Sequence, residues 1–88
     1  MRALLVLEAQ RENAIKLRLV RGRLGLTQEE LGKLAGLHYN IISRCERGMA
    51  INAKSAWAIL DALNAERAKR DLPALEFEQM TWKIQGEK

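Results

Sequence analysis

The sequence predicts a mainly α fold, with four to five short helices around one core and a C-terminal extension that reads as a short strand or hairpin. Three observations carry this. Apolar residues recur at helical spacing in separate stretches. Glycines and capping residues stand where those stretches begin or stop. Beyond Pro73 the pattern changes to period two. With 88 residues a single domain is expected, and a chain this short buries only about 60–65% of its unfolded surface. Residues 1–14 read as an N-terminal extension leading into the first helix, 15–70 as the helical domain and 71–88 as the C-terminal extension.

The first helix is expected over 8–24, with Ala14, Ile15, Leu17, Leu19, Val20 and Leu24 as its apolar stripe and Gly25 as its stop. Thr27-Gln28-Glu29-Glu30 is a capping box: the Thr27 hydroxyl can accept from the Glu30 N–H while Glu30 reaches back. The helix it opens runs to about Ala35, with Leu31, Leu34 and Ala35 inward, and Gly36 supplies a left-handed turn. A third helix is expected over 38–47, Ile42 and Cys45 sharing its buried face, and Gly48 ends it. A loop at 49–52 leads to a fourth helix over 53–70 with Ala56, Ile59, Leu60 and Leu63 on one side. In the extension, Leu75 and Phe77 alternate with acidic residues, and Met80, Trp82 and Ile84 alternate with Thr81 and Lys83. The phase slips between Phe77 and Met80, which predicts a bend there.

Composition narrows the function. Apolar residues make up 48% and charged residues 30%, a globular balance and not a disordered one. Residues 1–70 hold 13 basic and 7 acidic side chains, while 71–88 hold 2 and 4. A basic body with an acidic tail suits a polyanion on the body. One cysteine, Cys45, rules out a disulfide within the chain and fits a reducing cytoplasm. Cys45 and the lone His38 cannot make a structural zinc site, and no cofactor is expected. The apolar run at 3–7 is too short to span a membrane. There is no paired acid and base, Gly-rich phosphate loop or metal cluster, so an enzyme is not expected.

Leu26-Thr27-Gln28-Glu29-Glu30-Leu31-Gly32-Lys33-Leu34-Ala35-Gly36-Leu37, followed by Ile42-Ser43-Arg44-Cys45-Glu46-Arg47-Gly48, resembles the Cro/CI-type (XRE-like) helix-turn-helix of phage and bacterial DNA-binding regulators. The resemblance covers about residues 15–64, with the helix-turn-helix at about 27–48, and implies a compact lambda-repressor-like domain. Two short helices must then cross steeply through a tight turn. Leu31, Ala35, Leu37, Ile42 and Cys45 supply the contacts between them, and Gly32 lies where the backbones come closest. The outer face of the third helix is left for a DNA major groove roughly 12 Å wide.

That face carries His38, Tyr39, Asn40, Ser43 and Arg44. Arg44 can bind guanine bidentately and Asn40 adenine, while Tyr39 can hydrogen-bond or lie on a thymine methyl. The resemblance places Tyr39, Asn40 and Arg44 at base-contacting positions, with Ser43 beside them. It makes Gln28 a phosphate clamp at a helix N-terminus. His38 stands where relatives carry a Ser cap and is a candidate phosphate contact. Arg47 and Lys54, flanking the loop after the recognition helix, and Arg23 are further candidates. The resemblance also implies a bracing ion pair between Arg21 and Glu46. Cys45 reads as a core residue.

The ends of the chain go beyond the resemblance. Leu75, Phe77, Trp82 and Ile84 would leave strand edges unpaired, and pairing with a twin across a two-fold axis would satisfy them. The alternative is a tail folded back on its own core. Trp57 falls one residue off the inward face of its helix, as border packing or as a contact with the tail or a partner subunit. The leading reading is a homodimeric repressor or autorepressor on a palindromic operator. The other is an antitoxin or accessory protein whose apolar ends bind a partner protein, with DNA binding for autoregulation.

Overall fold

The computed structural model describes residues 15–85. The apolar run at 3–7 and the expected helical residues 8–14 lie outside them. Four α-helices follow in order, α1 (Leu17–Arg23), α2 (Gln28–Ala35), α3 (Tyr39–Glu46) and α4 (Ala53–Ala68), and then a single 3-10 turn at Phe77–Gln79. Leu31, Ile42, Ile59 and Leu63 are fully buried at the centre, so α2, α3 and α4 meet on one apolar cluster. Ala56, Leu60 and Ala62 of α4, Leu17, Val20 and Leu24 of the α1 segment, Cys45, Ile51 and Met80 complete it.

Among the described residues the first helix opens at Leu17, so the single helix expected over 8–24 does not continue through Ile15 and Lys16. Ile15 is extended and pairs in parallel with Met80: its N–H donates to the Gln79 carbonyl at 2.7 Å, and its own carbonyl accepts from the Thr81 N–H at 3.1 Å. A tertiary pairing has taken the backbone groups that a longer helix would have used. The stripe is also narrower than expected. Leu17, Val20 and Leu24 face the core, whereas Leu19, about 200° round from Leu17, is 50% exposed.

The α2 capping box forms as read, with Thr27 Oγ1 accepting from the Glu30 N–H at 3.0 Å and the Thr27 N–H donating to Glu30 Oε1 at 2.8 Å. Gly36 ends the helix at φ 71°, where a side chain would be strained. Leu34, expected inward, is 49% exposed. The approach of α3 to Gly32 turns the buried side of α2 toward Gln28, Leu31, Gly32 and Ala35, and Leu34 lies about 110° from the middle of that arc. Asn52 caps α4, its Oδ1 accepting from the Ser55 N–H at 2.7 Å.

The tail folds back on its own chain. Asn64 holds its start with two hydrogen bonds to Leu75, and Arg67 Nε donates to the Pro73 carbonyl at 2.9 Å. The phase slip between Phe77 and Met80 falls at the 3-10 turn. Beyond it Met80 pairs with Ile15 and Ile84 with Ile51. These are isolated bridges, so among the described residues there is no strand or hairpin, which corrects that part of the expected extension. Leu75, Phe77, Trp82 and Ile84 are half-buried against the core. Phe77 stacks on Trp57 with ring centroids 4.4 Å apart and on Trp82 at 5.4 Å. The expected dimerisation residues of the tail thus have packing partners within their own chain, while Trp57 remains 51% exposed.

Candidate nucleic-acid interface

The interface is built from the turn between α2 and α3. A Cβ placed on Gly32 would lie 2.8 Å from the Leu37 carbonyl oxygen and 3.3 Å from the Tyr39 nitrogen. The Leu37 N–H donates to the Gly32 carbonyl at 2.8 Å. The start of α3 thus rests directly on the backbone of α2, and only a missing side chain allows that approach. From this base α3 buries Ile42 and Cys45 and turns Tyr39 and Asn40 to solvent, with Ser43 and Arg44 half-buried at the edge of the same face.

His38 takes the N-cap position, its Nδ1 accepting from the Asn40 N–H at 3.1 Å. The imidazole therefore acts as the helix cap, and only its Nε2 is left to face outward. Its ring lies 4.7 Å from that of Tyr39, tilted by 31°, which steadies the tyrosine at the helix entry. Arg44 Nη2 donates to the Ala50 carbonyl at 3.1 Å, while the Arg44 carbonyl accepts from the Met49 N–H at 2.9 Å. The side chain expected at a base thus also ties down the loop after α3.

Arg21 and Glu46 meet side-on. Arg21 Nε pairs with Glu46 Oε2, and Arg21 Nη2 donates to Oε1 at 3.0 Å. Arg21 Nη1 also donates to the Leu26 carbonyl at 2.8 Å, so one guanidinium binds α1, the α1–α2 connection and α3 together. Gln28 Nε2 joins them, donating to Glu46 Oε1 at 3.0 Å. The expected phosphate clamp is in this way oriented from behind by the ion pair, at the N-terminus of α2. Burial alone would push the Glu46 carboxyl up. The hydrogen bonds from Arg21 and Gln28 and the Arg21 charge outweigh it and hold the group below the usual carboxylate range. The bond to Glu46 correspondingly raises Arg21. Cys45 lies beneath, and burial followed by the Glu46 charge pushes its thiol up to about 11, the behaviour of an inert core cysteine.

Tyr39, Asn40, Ser43 and Arg44 share one helix face, with Gln28 and His38 at the neighbouring helix entries. Arg47 is exposed at the end of α3 and Lys54 at the start of α4, on either side of the loop. Arg23 is exposed at the end of α1, and among the described residues no hydrogen bond or ion pair joins its side chain to this group. Three supporting groups were not singled out from the sequence. The Ala50 carbonyl carries no side-chain signal, and the Asn64 partner lies in the tail. Asn52 had the ordinary signature of a cap residue before a helix.

Two short helices crossing at a tight turn, the second held with its polar face outward, define a helix-turn-helix DNA-binding protein. A family model described as helix-turn-helix matches residues 17–70, more than half of the chain. The chain belongs to that family, the XRE or Cro/CI-like regulators, whose domain binds DNA in transcriptional regulation and is not an enzyme class. A search of curated proteins and a search of solved structures each found no match. Among the described residues no helix is long and apolar enough to cross a membrane.

Proposed function

We propose that this protein is a cytoplasmic repressor or autorepressor that binds a palindromic operator as a homodimer, reading bases with α3. The observation that carries the reading is the seating of α3 on Gly32. It fixes the outward face while Ile42 and Cys45 anchor the other side. In this reading Asn40, Tyr39 and Ser43 meet base edges. Arg44 reaches a guanine with the donors not given to Ala50, or by leaving that carbonyl. Gln28, braced by Glu46, meets a phosphate with the N-terminus of α2 behind it. Arg47 and Lys54 meet phosphates on either side of the loop.

Two copies would set their recognition helices about 34–36 Å apart, one helical turn of DNA. The half-exposed Trp57 supports a dimer contact on the α4 side, with Phe77 stacked behind it as a rigid backing. Selection from a random duplex library, followed by anisotropy titrations at several salt concentrations, tests the proposal. A symmetric enriched site, and affinity that falls as salt rises, are expected. Binding with no sequence preference and no salt dependence would overturn it. Sedimentation of the free protein and of the complex tests the dimer.

A further inference from the structure

The tail runs beyond the matched helix-turn-helix region, yet its last described residues are stitched to the loop that follows the recognition helix. The Ile51 N–H donates to the Lys83 carbonyl at 3.0 Å, and the Gln85 N–H donates to the Ile51 carbonyl at 2.7 Å. This parallel bridge fixes the register of Lys83 against Ile51. The loop itself is held from the other side by Arg44, through Ala50 and Met49. Ile51 is therefore clamped between the recognition helix and the tail.

The alternation of an extended chain then decides where Lys83 goes. Trp82 and Ile84 are half-buried against the core, and Lys83 between them is exposed. The segments that meet here, 47–60 and 80–85, contain Arg47, Lys54 and Lys83 and no Asp or Glu. The acidic residues of the described tail, Asp71, Glu76 and Glu78, all precede Met80 in the chain, Glu76 and Glu78 flanking the Phe77 that stacks on Trp57. A tail that is acidic in total thus brings its one described basic residue to the loop flanked by Arg47 and Lys54.

We propose that Lys83 is a DNA-phosphate contact supplied by the tail, a sequence-independent addition to the helix-turn-helix. This rests on the DNA-binding reading above. An ammonium on a flexible stem suits a phosphate as a point charge. Such a contact adds affinity for any duplex and carries no base information. Because Lys83 is registered to Ile51 by backbone bonds alone, replacing its side chain leaves the clamp intact.

The test uses the full chain and a fluorescein-labelled, mixed-sequence duplex of about 20 base pairs, two helical turns. Anisotropy titrations over a salt series are run for wild type, Lys83→Gln, Lys83→Arg and Lys69→Gln. Lys69 serves as control because it lies at the far end of the 16-residue α4, about 24 Å along the helix, paired with Glu66. The expected result is a slope of log K against log salt that is smaller in Lys83→Gln by about 0.9 for each bound copy, about 1.8 for a dimer on the duplex. Lys83→Arg and Lys69→Gln keep the wild-type slope, and all four proteins melt together. A Lys83→Gln slope equal to that of a salt-dependent wild type overturns the proposal and leaves the DNA-binding reading standing. So does a lowered melting temperature in Lys83→Gln, which would make the side chain structural. A wild type that shows no salt-dependent binding overturns the DNA-binding reading itself.

Discussion

Gly32→Ala is expected to destabilise the protein, although Gly to Ala inside a helix ordinarily stabilises it. The ordinary gain is about 1 kcal/mol, from backbone entropy and helix propensity. At Gly32 the new methyl carbon would sit 2.8 Å from the Leu37 carbonyl oxygen, with the Tyr39 nitrogen and Cα at 3.3 and 3.4 Å. All three are backbone atoms at the entry to α3, so no side chain can rotate away, and α3 must shift by several tenths of an ångström. That shift stretches the Leu37 N–H bond to the Gly32 carbonyl and loosens the seating of Ile42. An overpacking cost of about 2–3 kcal/mol set against the propensity gain leaves a net loss of about 1–2 kcal/mol. For a domain of this size that lowers the melting temperature by roughly 5–10 °C. Gly22 is the internal comparison. It lies within α1, and among the described residues nothing falls within 4 Å of its added Cβ, so Gly22→Ala is expected to raise the melting temperature by about 4–8 °C. Thermal unfolding followed by circular dichroism reads both. A Gly32→Ala protein as stable as wild type, or more so, would refute the close-approach argument.

Truncating one side of the Arg21–Glu46 pair, whose side chains are 17% and 6% exposed, is expected to cost about 3 kcal/mol. Arg21→Met combined with Glu46→Leu should cost less than the sum of the single changes; additivity in a denaturant double-mutant cycle would argue against coupling. Two carboxyls set the acid response. Glu46 is held low as described, and Glu30 is held low by its hydrogen bonds with the Thr27 backbone and hydroxyl. Because both are depressed in the folded state, their contribution is fully present above the ordinary glutamate pKa of about 4.3. It drains away as pH falls through the folded values. Glu30→Gln should therefore flatten the loss of melting temperature between about pH 5 and pH 3, and an unchanged profile would contradict this. Cys45, with its thiol near 11, is expected to react with iodoacetamide at pH 8 only after unfolding; prompt labelling of the native protein would place it at the surface. Asn40→Ala should relax base preference at one position of each half-site, with a discrimination loss of about 1–3 kcal/mol, while Gln28→Ala weakens binding to all sequences alike. The reverse pattern in a selection experiment would exchange their roles.

The helix-turn-helix was legible because its signals are local. Thr27 and Glu30 cap one another three residues apart, Gly36 meets the backbone requirement of the turn, and Ile42 and Cys45 lie one helical turn apart. The Arg21–Glu46 pair came only from the family resemblance, while Gly32 came through as well, as the residue at the closest approach of the two helices. The start of α1, the exposure of Leu19 and Leu34, and the course of the tail did not, because they depend on contacts between residues distant in sequence. Ile15 is extended because Met80 pairs with it, and a period-two pattern says that a segment is extended without saying which chain it pairs with. Arg44 and His38 show the same limit at the site itself. Their types suited a base and a phosphate, but the carbonyl and the amide that they meet belong to the backbone, which carries no mark in the sequence. The local code was thus enough to name the helix-turn-helix and the residues that support its second helix. Which polar groups of α3 are left exposed, and where the tail packs, depended on how distant backbones came together.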